Sequence, residues 1–244
     1  MRLECLFYYG GIMKPGVIIS MLKSLSLFER ILWGFSLLTV TVSYIFSPEF
    51  MPVTFIASLI GVTSLIFIAK GNAWGQVLML IFGVLYAIIS YKQRYYGEMI
   101  TYLAMTAPAA LISAVAWFRH PYKKGKNEVK IARLDIKKIS ALILLTAVFT
   151  FVFYFLLKHF NTANLFWSTI SIATSLLASL LTFLRSSYYA LAYSANDIIL
   201  IILWISASLK SPGNIPMIAC FSTFFINDLY GFVNWRKMQN LQNS

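Results

Sequence analysis

Charged side chains, histidine and cysteine are scarce in this sequence of 244 residues. Charged residues make up 11% of it, with eight acidic residues, two histidines and two cysteines. His120 and His159 fall in loops at opposite ends of the predicted helices, and Cys5 and Cys220 lie far apart, so neither pair has the spacing of a metal or redox site. The sequence also lacks G-x-x-x-x-G-K-[ST], the loop that binds ATP phosphates. We therefore expect no metal, no cofactor and no ATP hydrolysis through that loop.

Apolar residues take the place of the missing charge. They make up 59% of the chain, its mean hydropathy is +0.76, and they form repeated blocks about 18–23 residues long. A helix of roughly 20 residues crosses a hydrocarbon core of ~30 Å, and the period-two alternation of a membrane barrel is absent. The sequence thus predicts an all-α integral membrane protein with about eight transmembrane helices. We place them at 27–46, 50–69, 73–91, 98–118, 139–158, 164–184, 187–209 and 214–235.

Positive charge is distributed unevenly between the two sides of these helices. Sixteen of the 20 lysines and arginines fall on one side, many of them in a basic loop at 119–138, and four fall on the other. Because positively charged loops stay in the cytoplasm, we predict a multi-pass protein of the plasma membrane with both termini cytoplasmic. The net charge of +12 then reflects topology rather than nucleic-acid binding.

Two blocks of three predicted helices resemble each other. Lys70 and Arg185 stand 115 residues apart at one turn, and Trp117 and Trp235 stand 118 apart near the ends of the third helices. Three helices reverse the side on which the chain exits, so the single helix between the blocks leaves them parallel. Parallel repeats are a transporter architecture, with the substrate site between the repeats. This 1+3+1+3 organisation divides the chain into an N-terminal segment with an extra helix (1–48), a first repeat (49–120), a basic loop and linker helix (121–160), a second repeat (161–238) and a tail (239–244).

Two acidic residues, Asp197 and Asp228, fall within predicted helices, at similar depth in the cytoplasmic half. A carboxylate at membrane depth costs roughly 2.5–3.5 kcal/mol, so each needs a partner, a cavity or a proton. Hydrogen bonding between helices is the alternative role for both acids and for the asparagines beside them. An enzyme inside the membrane would have to work through these two carboxyl groups alone. We favour a protein that is not an enzyme.

Polar and aromatic side chains recur at helical spacing on three of the predicted helices. Facing one axis, these stripes would form a pocket that combines ring stacking with amide hydrogen bonds, which suits a flat, polar, ring-bearing solute. A stripe of serines at 168, 171, 175 and 179 with Thr182 is predicted to pack helices, and four tryptophans (33, 74, 117 and 235) to anchor the chain at membrane interfaces. The candidate substrate-binding residues are Gln76 and Tyr86 on the third helix, Tyr189, Tyr193, Asn196, Asp197 and Trp204 on the seventh, and Asn227, Asp228, Tyr230 and Asn234 on the eighth; none is assigned as catalytic or metal-binding.

Several of these residues lie in motifs that resemble the PnuC family of nicotinamide riboside transporters. KGNAWGQ at 70–76, FGVLY at 82–86 and YYGE at 95–98 are similar to the family's first repeat, and NDLYGFVNWRKM at 227–238 is similar to its closing signature. The similarity covers roughly residues 50–238. It implies a 3+1+3 fold related to the SWEET sugar carriers, with the extra N-terminal helix that some members have.

The resemblance implies uptake of nicotinamide riboside, a precursor of NAD, by facilitated diffusion, with a cytoplasmic kinase that phosphorylates the substrate and traps it. The family's nicotinamide riboside members place tryptophans four residues apart where this chain has Tyr189 and Tyr193. Transporters of thiamine, riboflavin or a deoxynucleoside on the same fold therefore stay open as alternatives. The partners implied are a small-molecule substrate, the lipid bilayer and, functionally, the kinase; a homo-oligomer is compatible with the sequence.

Overall fold

The protein is almost entirely helical in a computed structural model, which describes residues 22–92, 96–123, 128–162 and 164–243, without the side chains of 92–98. The predicted segment 1–21 with Cys5, the centre of the basic loop and the side chains of the YYGE motif lie outside the described residues. The helices are α1 (Leu27–Ile45), α2 (Pro52–Ala69), α3 (Ala73–Lys92), α4 (Tyr96–Thr101), a π-helical turn (Tyr102–Thr106), α5 (Ala107–Arg119), α6 (Ile136–His159), α7 (Leu165–Phe183), α8 (Tyr189–Ser208), a 3₁₀ turn (Pro212–Asn214) and α9 (Ile215–Asn243).

The prediction of an all-α membrane protein is confirmed. In the described part of the chain, seven helices are long and apolar enough to cross a membrane; they are Pro52–Ala69, Ala73–Tyr91, Met99–Arg119, Ile136–His159, Leu165–Phe183, Tyr189–Ser208 and Pro212–Asn243. The eighth, α1, has 19 residues, but Glu29 and Arg30 in its first turn lower its mean hydropathy. Its outward side chains are nevertheless apolar, among them Leu27, Phe28 and Ile31. A capping box between Ser26 and Glu29 fixes where α1 begins.

The turns after α2 and α7 have the same structure. Gly71 follows α2 with φ +67°, and Arg185 follows α7 with φ +57°. Asn72 Oδ1 accepts a hydrogen bond from Trp74 N, and Ser186 Oγ accepts one from Tyr188 N. All these pairs are 114 residues apart, so the offset of 115 predicted at Lys70 and Arg185 is wrong by one residue. The equivalent positions of the two turns are the left-handed residues, rather than the charged residues. The domain boundaries themselves stay a prediction.

Residues 128–132 of the basic loop lie across both turns and are called the strap below. Val129 N donates to Gly71 O at 2.9 Å, and Ala132 N donates to Arg185 O at 3.0 Å. Gln242 near the end of α9 accepts from Ile131 N at 2.8 Å. Val129 is fully buried. The strap therefore covers one end of the bundle. Its contact with Gln242 holds the part of α9 that continues beyond the predicted end at 235.

Candidate functional site

A small cavity lies between the two predicted repeats. Residues of α2, α3 and the π-helical turn line it from one side, and residues of α7, α8 and α9 line it from the other. Equivalent positions of the repeats, 114 residues apart, both line it, such as Met79 with Tyr193 and Phe82 with Asn196. The lining residues are Leu65, Ile68, Gln76, Met79, Phe82, Tyr102, Thr106, Ser175, Tyr189, Tyr193, Asn196, Asp197, Leu200, Phe221, Phe224 and Asp228.

The tyrosines of α8 are held by contacts on both of its flanks. The Tyr189 ring packs on Trp235 with the ring centroids 4.7 Å apart, and a Cβ at Gly231 would lie 3.2 Å from the Tyr189 hydroxyl. Glycine at 231 therefore leaves room for this ring. The Tyr193 hydroxyl lies 3.1 Å from Ser179 Oγ. Two aromatic faces are thus fixed at adjacent turns of one helix.

Asn196 is oriented by the hydroxyl groups of α7. Its Oδ1 accepts hydrogen bonds from Ser171 Oγ at 3.2 Å and Thr174 Oγ1 at 2.9 Å. The residue lines the cavity. The serine stripe of α7, predicted to pack helices, therefore also positions Asn196 and Tyr193, and Ser175 lines the cavity itself.

The π-helical turn brings Tyr102 and Thr106 to the same cavity. Pro108 lacks the backbone N–H that would bond the carbonyl of residue 104, and its ring would crowd that carbonyl in a regular helix. The chain widens instead, and Ala107 N bonds Tyr102 O, five residues back. Such single π turns are frequent at functional sites. Sequence reasoning missed both residues, and the helix-internal proline was the available signal.

Three buried polar atoms in this cavity have no hydrogen-bond partner among the described residues. They are Gln76 Nε2, the Tyr189 hydroxyl and Asp197 Oδ2. Buried polar groups are almost always paired, so three unpaired ones directed at one space indicate a place for a polar solute or water. Asp228 lines the same cavity as Asp197, so two buried carboxyl groups share one space.

The cavity has a volume of only about 50 Å³. That is room for one or two water molecules and far below the roughly 300 Å³ at which ligand pockets begin. Behind the lining, on the side away from the strap, stands an aromatic wall, with Tyr86 and Tyr102 centroids 4.3 Å apart and Phe82 and Phe224 centroids 5.6 Å apart. These rings would have to separate to admit a vitamin-sized molecule. The structure is a closed conformation.

Five of the eleven predicted site residues lie away from the cavity. Asn227 Nδ2 donates to Ser36 Oγ of α1 at 2.9 Å, the Tyr230 hydroxyl donates to Glu29 Oε1 at 2.8 Å, and Asn234 Nδ2 donates to Ala69 O at 2.9 Å. Asn227, Tyr230 and Asn234 do share one face, as predicted, but that face meets α1 and the end of α2. Tyr86 and Trp204 form part of the aromatic wall, with centroids 6.3 Å apart, without lining the cavity. The other six, Gln76, Tyr189, Tyr193, Asn196, Asp197 and Asp228, line it.

The tryptophans expected at membrane interfaces are partly interior. Trp117 and Trp235 are fully buried, whereas Trp33 and Trp74 are half-buried. Trp33 Nε1 donates to Thr63 Oγ1 at 3.1 Å and so joins α1 to α2.

The comparisons with known proteins agree with this architecture. A family model described as nicotinamide mononucleotide transporter matches residues 51–237. The chain belongs to that family. Two relatives, both named nicotinamide riboside transporter PnuC, come from Neisseria mucosa and Haemophilus influenzae. The first is 25% identical over 201 residues, covering 81% of this chain and 76% of the relative. The second is 25% identical over 202 residues, covering 82% and 86%.

A solved structure extends the match to three dimensions. The crystal structure of the vitamin B3 transporter PnuC superposes with a TM-score of 0.78 and 24% identity, covering 90% of this chain and 94% of that one. At this identity the match shows the shared fold. A multi-pass membrane transporter of the PnuC family is therefore established, and its cavity lies between helices that the family shares.

Proposed function

We propose that the protein takes up nicotinamide riboside by facilitated diffusion, through the cavity between α2–α5 and α7–α9. The proposal depends on one observation. Two fixed tyrosine rings and three polar atoms without hydrogen-bond partners among the described residues belong to residues that line the same membrane-embedded cavity. Its membership of the nicotinamide mononucleotide transporter family and the names of its two relatives support the substrate.

The cavity residues fit the chemistry of this solute. The pyridinium ring is flat and cationic, and stacking against Tyr189 or Tyr193 contributes about 2 kcal/mol when the contact is desolvated. Gln76 Nε2 and the Asn196 amide nitrogen would donate to the ribose hydroxyls or the carboxamide. These six cavity residues are therefore our proposed substrate contacts, whereas Asn227, Tyr230 and Asn234 have structural partners.

Energy for uptake would come from the substrate gradient. The sequence holds no ATP-binding loop of the P-loop type. Phosphorylation by a cytoplasmic kinase would keep the internal concentration of the free riboside low and so maintain inward flow. The protein itself then needs no chemical step, and Asp197 and Asp228 serve binding rather than catalysis.

The tyrosines at 189 and 193 keep a second substrate class open, because tyrosine stacks on any flat vitamin ring. Thiamine, riboflavin and deoxynucleosides are the alternatives.

Purified protein in liposomes would be loaded with unlabelled riboside and offered labelled riboside, with each alternative as competitor. We expect saturable riboside exchange that Tyr193→Ala abolishes and Tyr154→Ala, on the outer helix α6, leaves intact. Exchange of thiamine or a deoxynucleoside with none of the riboside would overturn the substrate.

We also propose that both termini face the cytoplasm in the plasma membrane. The uneven distribution of lysine and arginine supports this orientation, and the strap places part of the basic loop at the end of the bundle where α2 and α7 end. A reporter enzyme that is active only outside the cytoplasm, fused after Ser244, should be silent. Activity of that fusion would reverse the orientation.

A further inference from the structure

The carboxyl groups of Asp197 on α8 and Asp228 on α9 meet inside the cavity. Both residues are buried, with 3% and 4% of their surface exposed. Both residues line the same cavity, and Asp197 Oδ2 has no hydrogen-bond partner among the described residues. Two carboxyl groups that share one buried space titrate as a unit, and a negative charge on that unit needs a cation beside it.

No cationic side chain neutralises this charge in the described part of the chain, because the cavity lining holds no lysine, arginine or histidine. The two cations at the nearby turns are engaged elsewhere. Lys70 Nζ bonds Glu29 Oε2 at 3.0 Å, and Arg185 Nη1 lies 3.5 Å from Lys130 O. Three other titratable groups lie near the pair, namely the hydroxyls of Tyr189 and Tyr193 and the thiol of Cys220. All three are neutral hydrogen donors.

A buried negative charge without a counter-ion is costly, and a bound cation would remove that cost. The two tyrosine rings beside the pair favour a cation that is part of a flat ring. We propose that the Asp197–Asp228 pair is the counter-anion of the substrate and makes the site select a positively charged ring over a neutral ring of the same shape. This inference rests on the proposed function and adds a charge requirement to it.

Two carboxyl groups in one site predict an unusual mutational pattern. Asp197→Asn or Asp228→Asn leaves one carboxyl group with an amide donor beside it, so the site keeps one group that can ionise next to a bound cation. Each single variant should weaken binding of any ligand and retain the preference for the cation. Asp197→Asn with Asp228→Asn removes the charge at nearly constant volume, so the preference should disappear. If the pair only joins α8 to α9, the double variant would keep the wild-type preference.

The test compares nicotinamide riboside, a pyridinium cation, with its reduced dihydropyridine form, which is neutral and has nearly the same shape. Binding would be measured by calorimetry on purified full-length protein, with thiamine and riboflavin as a second cationic and neutral pair. We expect the wild-type protein to prefer the oxidised riboside on the order of 30-fold, and the double variant less than about threefold. Asp135→Asn, exposed at the start of α6, controls for loss of one acidic residue.

The outcomes separate the inference from the proposed function. Equal binding of both riboside forms by the wild type, or an unchanged preference in a folded double variant, overturns the charge requirement and leaves riboside transport standing. Binding of thiamine alone, lost in the double variant, supports the charge requirement and overturns the riboside. Binding of neither cation overturns both. Thermal unfolding of each variant checks that it is folded.

Discussion

Trp117 and Trp235 pack against each other inside the bundle, near the end that the strap covers, with ring centroids 5.1 Å apart. Each belongs to the last helix of one predicted repeat, and each bonds the first helix of the other. Trp117 Nε1 donates to Thr182 O on α7 at 3.0 Å, and Trp235 Nε1 donates to Ile68 O on α2 at 2.9 Å. The two accepting carbonyls are 114 residues apart, like the turns that follow them. The pair therefore joins the two units by reciprocal contacts.

This reciprocity predicts that the two tryptophans stabilise the fold about equally. Trp117→Phe and Trp235→Phe each remove one buried hydrogen bond to a carbonyl, which costs roughly 0.5–1.5 kcal/mol. Thermal unfolding in detergent should show a lower midpoint for both, by about 2–4 °C per kcal/mol in a chain of this size. The double variant should lose less than the sum, because the rings touch each other. The matched control is Trp74→Phe, since Trp74 is half-buried and its ring meets Phe118. A large loss for one tryptophan and none for the other would contradict the reciprocal arrangement.

The left-handed residues of the two turns predict opposite responses to substitution. Arg185 adopts φ +57° with a side chain, so Arg185→Gly should raise the free energy of unfolding by about 0.5–1 kcal/mol. Arg185→Ala removes the same guanidinium and keeps the strained backbone, so it is the control and should not stabilise. Gly71→Ala should destabilise, because its φ is +67° and an added Cβ would lie 2.9 Å from Met238 Cε. Unfolding midpoints of the three variants test this, and a stabilising Gly71→Ala would refute the shared turn geometry.

Asn196 and Asn234 were predicted alike from the sequence and should now behave differently. Asn196→Ala removes an amide that faces the cavity, so we expect about tenfold weaker binding of nicotinamide riboside, equivalent to roughly 1.4 kcal/mol. Asn234→Ala removes the bond to Ala69 O and should lower the unfolding midpoint with binding unchanged. Calorimetry and thermal unfolding on both variants separate the two roles. Weaker binding of nicotinamide riboside by a stably folded Asn234→Ala variant would show that Asn234 contributes to the binding site.

Glu29 joins α1 to the rest of the bundle. Its carboxylate accepts from Lys70 Nζ at 3.0 Å, from the Tyr230 hydroxyl at 2.8 Å and from Ser26 N at 2.6 Å. Glu29→Gln leaves the Lys70 ammonium without its counter-ion, and we expect a loss of roughly 2 kcal/mol in the free energy of unfolding. Adding Lys70→Met should recover part of that loss, whereas the exposed Glu49→Gln should have no effect. Recovery by Lys70→Met is the decisive measurement, because a purely steric role of Glu29 would not produce it.

Local pattern was sufficient for much of this fold. Every described transmembrane helix lies within a few residues of its predicted span, since length and hydropathy alone decide whether a helix can cross a bilayer. The clearest extension, α9 to Asn243, depends on Gln242 bonding the strap, a contact more than 100 residues away in sequence. The predicted pairing of Lys70 with Arg185 is wrong by one residue, because the two turns share a backbone conformation rather than a charged residue.

The sequence by itself determined the class of protein, the approximate positions of the transmembrane helices, and the face that Asn227, Tyr230 and Asn234 share. Only the tertiary structure determined which helices or cavity each face of a helix contacts. Asn227 and Asp228 are neighbours in the chain and lie about 100° apart around α9. One bonds Ser36 of α1, and the other lines the cavity. Helical periodicity gives the angle between two side chains, but the rotation of a helix against its neighbours comes from packing, which is why the cavity could be located only in the folded protein.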